Sequence, residues 1–257
     1  MTSFVGFVPV GGIIAAILFG SAVIAMLAAR FLPEHHMTSE TKSVVSVSIA
    51  VVGTMSALVV SLLISTANSS FTAKAQEVTT VSADTISLDR LLRRYGPQAQ
   101  DIRAMLQQYT VAELQDFFPE QSSQTANLED GASIAMLEAL QDKVLALTPA
   151  NSTQTWLQAQ ALTLTGAMLS ARWQLGQDDL SKSPLPILVL MVFWFAVIFA
   201  SFGLFSPRNA TVIAALFLSA VSIGTAIRMT VELQRPFDGL VRISSAPLTQ
   251  ALTIIER

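Results

Sequence analysis

Residues Val44–Thr66 read VVSVSIAVVGTMSALVVSLLIST, 23 residues without one charged side chain. This stretch decides how the chain is read. As a helix it rises about 35 Å at 1.5 Å per residue, enough to cross the roughly 30 Å of hydrocarbon in a bilayer. A segment in hydrocarbon has to satisfy its own backbone hydrogen bonds, so a helix is the form expected for a run of this length.

Working outward, three more runs have the same character: Val8–Leu32, Pro184–Phe205 and Asn209–Leu233. The first lacks a basic leading segment, and its apolar core is longer than the 7–15 residues of a signal peptide. It is expected to be a retained helix. The whole chain agrees: of 257 residues, 52% are hydrophobic and only 13% charged, with mean hydropathy +0.55. Soluble domains carry about 25% charged residues, so the composition indicates an integral membrane protein. The net charge of −3 comes without a basic cluster, and nucleic acid is not an expected partner because phosphate binding needs grouped cations. There is no cysteine, which excludes disulfides, thiolate metal sites and a cysteine nucleophile.

Between the second and third runs lies a polar segment, 67–183. Apolar residues at Ile86, Leu88, Leu91, Leu92 and Tyr95 follow helical spacing. Gly96-Pro97 interrupts it, and Ile102, Met105, Leu106 and Tyr109 resume it. Further helices are expected over Ile134–Leu147 and Trp156–Leu175, with PEQSSQTANLEDGAS as the clearest loop. No fixed-period repeat is present. The expected fold is an all-α membrane protein: four transmembrane helices with an all-helical extramembrane bundle inserted between helices 2 and 3. The expected division is 1–66, 67–183, 184–233 and a C-terminal turn and short helix at 234–257. Four spans place both termini and the insert on one side. Positive residues divide between the two sides, Arg30 and Lys42 against Lys74, Lys182, Arg235 and Arg242, so the positive-inside rule leaves the orientation open.

The second run carries Ser46, Ala50, Gly53, Ala57, Ser61, Ser65 and Asn68 at spacings of three and four, which hold one helix face. Two readings stand side by side. Small residues allow close helix packing; alternatively, several copies of the face line a wet pore, with apolar steps such as Val60 and Ile64 gating by dewetting. The Gly12-Ala16-Gly20 series in the first run is read as packing. Phe193, Trp194, Phe195, Phe199, Phe202 and Phe205 suit lipid contact and the interfacial belt. Arg228 and Glu232 are one turn apart near the end of the last run and can pair; they serve either function or interfacial snorkelling, the reading that also covers Arg30 and Arg208. His35-His36 is a loop dipeptide and not a metal site, which needs three or four ligands. Glu77 and Asp84 could bind a cation, act as acid and base, or belong to a solvated helix face, the commoner case. No nucleotide loop or catalytic triad is present, so no catalytic residue, cofactor or metal is assigned and no enzyme is expected.

The segment from Phe193 to Leu252 carries Phe202-Gly203-Leu204, Pro207-Arg208-Asn209, Glu232-Leu233, Arg235-Pro236-Phe237 and Gly239. These marks resemble the C-terminal half of the bacterial bestrophin-like domain family, largely uncharacterised four-span membrane proteins remotely related to bestrophin channels. Leu88–Pro97 and Arg103 resemble the family's first insert helices. Gln234 and Asp238 fill variable places in the ELxRPFxG element.

The resemblance implies a homo-oligomeric ion channel, pentameric by that resemblance alone, with the pore along the second span. It also implies a bacterial inner-membrane location with the insert and both termini cytoplasmic. The pore-lining residues expected are Ser46, Ala50, Gly53, Ala57, Val60, Ser61, Ile64, Ser65 and Asn68. The permeant ion is not specified. Residues 67–183 hold 13 acidic and eight basic side chains, a balance that favours cations in a vestibule. The last turn, with Arg228, Glu232, Arg235, Pro236, Phe237, Asp238 and Gly239, is expected to form a structural clasp between the membrane and extramembrane layers. A short helix starting at Pro247, capped by Ser244 or Ser245, should present Leu248, Leu252 and Ile255 for docking. Two alternatives remain: a non-conducting scaffold or sensor that uses the insert to bind partners, and a membrane enzyme or transporter working at Arg228, Glu232 and Glu77.

Overall fold

The computed structural model describes residues 3–33, 38–118, 132–181, 185–234, 236–237 and 241–257. Among these residues all regular structure is helical: α1 (Ser3–Ala28), α2 (Ser39–Tyr95), α3 (Gln100–Phe117), α4 (Ala132–Leu145), α5 (Ser152–Ser181), α6 (Leu185–Phe205), α7 (Ala210–Leu233) and α8 (Ala246–Ile255). Four of them, α1, α2, α6 and α7, are long and apolar enough to cross a membrane. The chain divides into two compact units, Met1–Ser70 with Ser183–Arg235, and Phe71–Lys182 with Pro236–Arg257.

In the first unit α1 packs on both α6 and α7. Its inward residues Ile14, Leu18, Ala22 and Met26 recur every four positions and meet Phe199, Leu216, Ala220 and Ile227 in one buried cluster. Two glycines let these helices approach closely, which is how membrane helices gain van der Waals contact without a hydrophobic drive. A Cβ on Gly203 would collide with the Ala22 carbonyl, and one on Gly224 would come within 2.6 Å of the Gly11 oxygen. The Gly12-Ala16-Gly20 series does not do this within the protomer: a Cβ at Gly12 or Gly20 would meet nothing within 4 Å. The seam runs through Gly11, one position away, because Ile14, Leu18 and Ala22 set the buried stripe. The aromatic residues of α6 also divide between two environments. Phe193 and Phe202 are exposed, as lipid contact requires, but Phe199 is buried in the core and Phe195 packs against it.

The α6–α7 connection is held by side chains. Arg208 donates from Nη2 to the Met26 carbonyl near the end of α1 at 2.9 Å, satisfying an acceptor that the helix end leaves open. Asn209 caps α7, its Oδ1 accepting from the Val212 N–H at 2.9 Å.

The second unit is built round a core from four helices: Leu88, Leu92 and Tyr95 of α2; Ile102, Leu106 and Tyr109 of α3; Leu137, Leu140 and Val144 of α4; Leu157, Ala161 and Met168 of α5. Gly96, at φ 116°, makes the turn between α2 and the short 3-10 turn Pro97–Ala99, a backbone region that side chains disfavour. Across this turn the buried Asp89 accepts from Arg103 Nε at 2.7 Å and from Arg93 Nη2 at 3.3 Å. The last two insert helices differ from the spacing-based expectation. The helix expected to reach Leu147 ends at Leu145, because Gln158 Nε2 reaches back to the Val144, Leu145 and Leu147 carbonyls and terminates it. The next helix starts four residues before Trp156. Asn151 Oδ1 accepts from the Gln154 N–H at 2.9 Å, and Gln154 Oε1 accepts from the Ala150 N–H at 2.7 Å. This is a reciprocal cap. Nearly all of the PEQSSQTANLEDGAS loop lies outside the described residues.

A smaller cluster in the same unit joins Val78 of α2, Phe117 and Phe118 at the end of α3, and Ile243 and Leu248 of the C-terminal segment, with Phe237 packed against it. Helix α8 begins at Ala246, with Pro247 in its first turn. Ser245 makes no side-chain cap; Ser244 Oγ accepts from the Ala246 N–H at 3.2 Å. Leu248, Ala251 and Ile255 are buried, while Leu252 is only partly so. The Ile255 carbonyl accepts from Gln107 Nε2 of α3 at 2.9 Å.

Candidate pore face and terminal turn

Helix α2 is the least covered of the four apolar helices. Only 6% of its most apolar stretch is buried, against 28%, 22% and 22% in α1, α6 and α7. Its composition suits helix packing, yet the protomer supplies little to pack against. Threonine and serine hydroxyls along it bond back to carbonyls one turn earlier: Ser48 to Val44, Thr54 to Ala50, Ser56 to Val52 and Thr66 to Leu62, at 2.7–2.9 Å. This satisfies the hydroxyls within the helix.

Seven of the nine expected pore-face residues share one surface. Ser46, Ala50 and Gly53 line a groove of about 480 Å³; Gly53, Ala57, Val60, Ser61 and Ile64 line an adjoining one of about 420 Å³. Gly53 belongs to both. Ser65 and Asn68 lie further along the helix and line neither. The other wall is α6: Phe195 faces one groove, and Ile198, Ser201, Phe202 and Phe205 face the other, with Lys42 at its end. Sequence reasoning had not assigned these α6 residues to the site. Their signal is present, since 195, 198, 202 and 205 follow helical spacing, but the bulk of Phe195, Phe202 and Phe205 suits lipid contact and the interfacial belt. A second α2 face is apolar and fully open: Val44, Val47, Val51, Met55, Leu58 and Leu62 are each 57–67% exposed.

In the terminal turn, Arg228 Nη2 lies 3.5 Å from Glu232 Oε1 on one side of α7, with the carboxylate side chain only 2% exposed. The aliphatic part of Arg228 lies against Gly11 of α1, where a Cβ would come within 3.2 Å of it. These two residues belong to the first unit and Glu77 to the second. Helix α7 ends at Leu233, before Pro236. Pro236 is buried, and its carbonyl accepts from the Ile243 N–H at 2.9 Å, which closes the turn. Phe237 sets its ring 4.9 Å from Phe117 and 5.8 Å from Phe118. Arg235, Asp238 and Gly239 lie outside the described residues, as do His35 and His36. Among the described residues no group of three or more histidine, aspartate or glutamate side chains could hold a metal ion.

Comparison with known proteins covers nearly the whole chain. The bestrophin-like domain model matches residues 14–248. Among solved structures, two point variants of a bacterial bestrophin homologue from Klebsiella pneumoniae superpose with TM-scores of 0.65 and 0.69. They are 14% and 12% identical, and each alignment covers 95% of this chain and 97% of the other. A crystal structure described only as that of a membrane protein aligns with TM-score 0.69, 12% identity and the same coverage. Among curated protein sequences none matches. The structures share the fold, and the domain match extends from α1 into α8. The chain belongs to the bestrophin-like domain family of membrane proteins.

Proposed function

We propose that the protein is a homo-oligomeric ion channel of the bacterial inner membrane, with α2 lining the pore. The observation that carries this reading is the low burial of the apolar stretch of α2, only 6%, beside a small, hydroxyl-bearing face that borders an open groove along α6. A helix of this apolarity with so little of its surface covered is expected to meet lipid, other copies or a central path. Four apolar helices put the insert and both termini on one side, which family resemblance assigns to the cytoplasm. Resemblance alone favours five subunits. The permeant ion is left open, since the face carries hydroxyls and no charged ring. The terminal turn acts as a structural clasp, and the anchoring of Phe237 between Phe117 and Phe118 supports this role.

A second arrangement of the same helix is favoured by the exposed stripe Val47, Val51, Met55, Leu58 and Leu62. Turned to the axis, that stripe would form an apolar constriction that opens by wetting. The alternative of a non-conducting scaffold predicts an assembly without ion flux.

Reconstitution in liposomes tests the reading. The native chain should release trapped ions, and Ser61→Trp and Ile64→Lys should change the rate at least tenfold. Because the chain has no cysteine, single cysteines at Ser61 and Met55 report which face meets water through their reaction with a charged thiol reagent. Absence of flux from an intact assembly would remove the channel. Reaction at Met55 but not Ser61 would move the pore to the apolar stripe.

A further inference from the structure

Glu113 lies on the inward side of α3 at 1% exposure, and its Oε2 completes no hydrogen bond among the described residues. Tyr109, one turn earlier and fully buried, also leaves its hydroxyl without a hydrogen-bond partner there. Buried polar groups are nearly always satisfied, and each exception calls for a reason. A carboxylate in such a position is costly to charge, because burial strips its hydration. Packing alone would be served by an apolar side chain.

The neighbouring charges form a poised arrangement. Arg172 of α5 donates from Nη2 to Asp116 Oδ2 at 3.1 Å, and from Nε and Nη2 to Ser133 Oγ of α4 at 3.2 and 3.1 Å. Its guanidinium also lies 4.3 Å above the Phe117 ring. Arg172 and Asp116 are the charges that act on Glu113 among the described residues; on α2, Lys74 and Glu77 lie within one turn before Val78, which packs with Phe117. Helix α8 contains no charged residue. Burial raises the Glu113 carboxyl to about 7; the Tyr109 hydroxyl, close to the carboxyl but without the geometry of a hydrogen bond, and Arg172 oppose the rise, and Asp116 adds to it.

We propose that Glu113 is a proton-operated switch in the extramembrane unit. Protonated, the side chain stays in the dry core. Deprotonated, it competes with Asp116 for Arg172 and loosens the cation from Phe117. Phe117 meets Phe237, which three residues join to the end of α7. The proton site stands on the α3–α5 geometry; its control of conduction rests on the channel reading.

The sign follows from linkage. A carboxyl raised above its ordinary 4.5 favours the closed contact fully below that pH, and the advantage is lost as pH climbs to about 7. Opening of the contact should therefore increase about tenfold per pH unit across that window and level off above it. Hydrogen exchange of α3 and α5 amides in the full chain, corrected for intrinsic rates, reads this directly. E113Q should stay at the protected level throughout. D116N leaves Arg172 to Glu113 alone and should move the plateau to lower pH. A native slope in E113Q, or an unmoved plateau in D116N, overturns the switch. Ion flux measured over the same range separates the two ideas. An exchange step that E113Q abolishes, with no flux at any pH, keeps the switch and removes the channel. Flux whose pH dependence survives in E113Q removes the control.

Discussion

Helices α1 and α2 are equally apolar over their central stretches, yet 28% of one and 6% of the other is buried in the protomer. The difference shows that apolarity selects a helix for the membrane without saying what it touches there. In hydrocarbon, lipid is as good an apolar neighbour as leucine, so helix contacts depend on shape and small residues. The α1 seam has that shape, with Gly11, Gly203 and Gly224 at the closest approaches to its partners. Helix α2 has small residues too, but Gly53 meets nothing within 4 Å. Its small face borders an open groove, and its opposite face is exposed throughout.

The same substitution in the two settings should give opposite outcomes. Gly203→Ala places a methyl on the Ala22 backbone, which cannot move aside as a side chain would. Overpacking of this kind should cost about 3 kcal/mol or more, seen as loss of monodisperse protein or a large fall in melting temperature in detergent. A normal melting temperature would show that α1 and α6 are not in close contact. In the second unit, Asp89→Ala strands Arg103 and Arg93 beside a buried position. Because Arg103 is 22% exposed, solvent limits the loss to about 2 kcal/mol, measurable as a local drop in exchange protection at the α2–α3 turn. A loss confined to the membrane helices would contradict the division into two units. The smallest effect belongs to Gly53→Ala, which should leave protomer stability within about 1 kcal/mol and slightly favour the helix. If it instead dissociates the assembly while each protomer stays folded, the small face packs between copies. If assembly and stability both hold while flux falls, the face lines the path.

Much of this was legible from patterns along the chain. Long uncharged runs marked four apolar helices because the bilayer imposes a minimum length. Periodic Leu88, Leu92, Ile102 and Leu106 marked the core of the second unit, since a helix buries one stripe. The pairing of Arg228 with Glu232 followed from their four-residue spacing. Other features depended on contacts between distant residues. Gly11 replaced Gly12 in the α1 seam because neighbouring helices chose the stripe, and both positions look alike in sequence. Phe199 went inward and Phe193 outward, although every residue in that run is equally suited to lipid. Helix α5 began early through an Asn151–Gln154 cap, a local signal hidden in a short polar stretch. Glu113 gave no signal at all, being one acid among many.

By itself the sequence determined an all-helical membrane protein with several apolar helices, because hydrocarbon thickness and helical periodicity act on runs of neighbouring residues. It also determined which residues share a face of α2. Only the tertiary structure decided which faces are covered, that α6 forms the second wall of the groove beside α2, and that Glu113 is buried where Arg172 and Asp116 act on it. Those facts arise from helices that lie far apart along the chain. Close packing and desolvation belong to such assembled surfaces, and no stretch of sequence contains both sides of them.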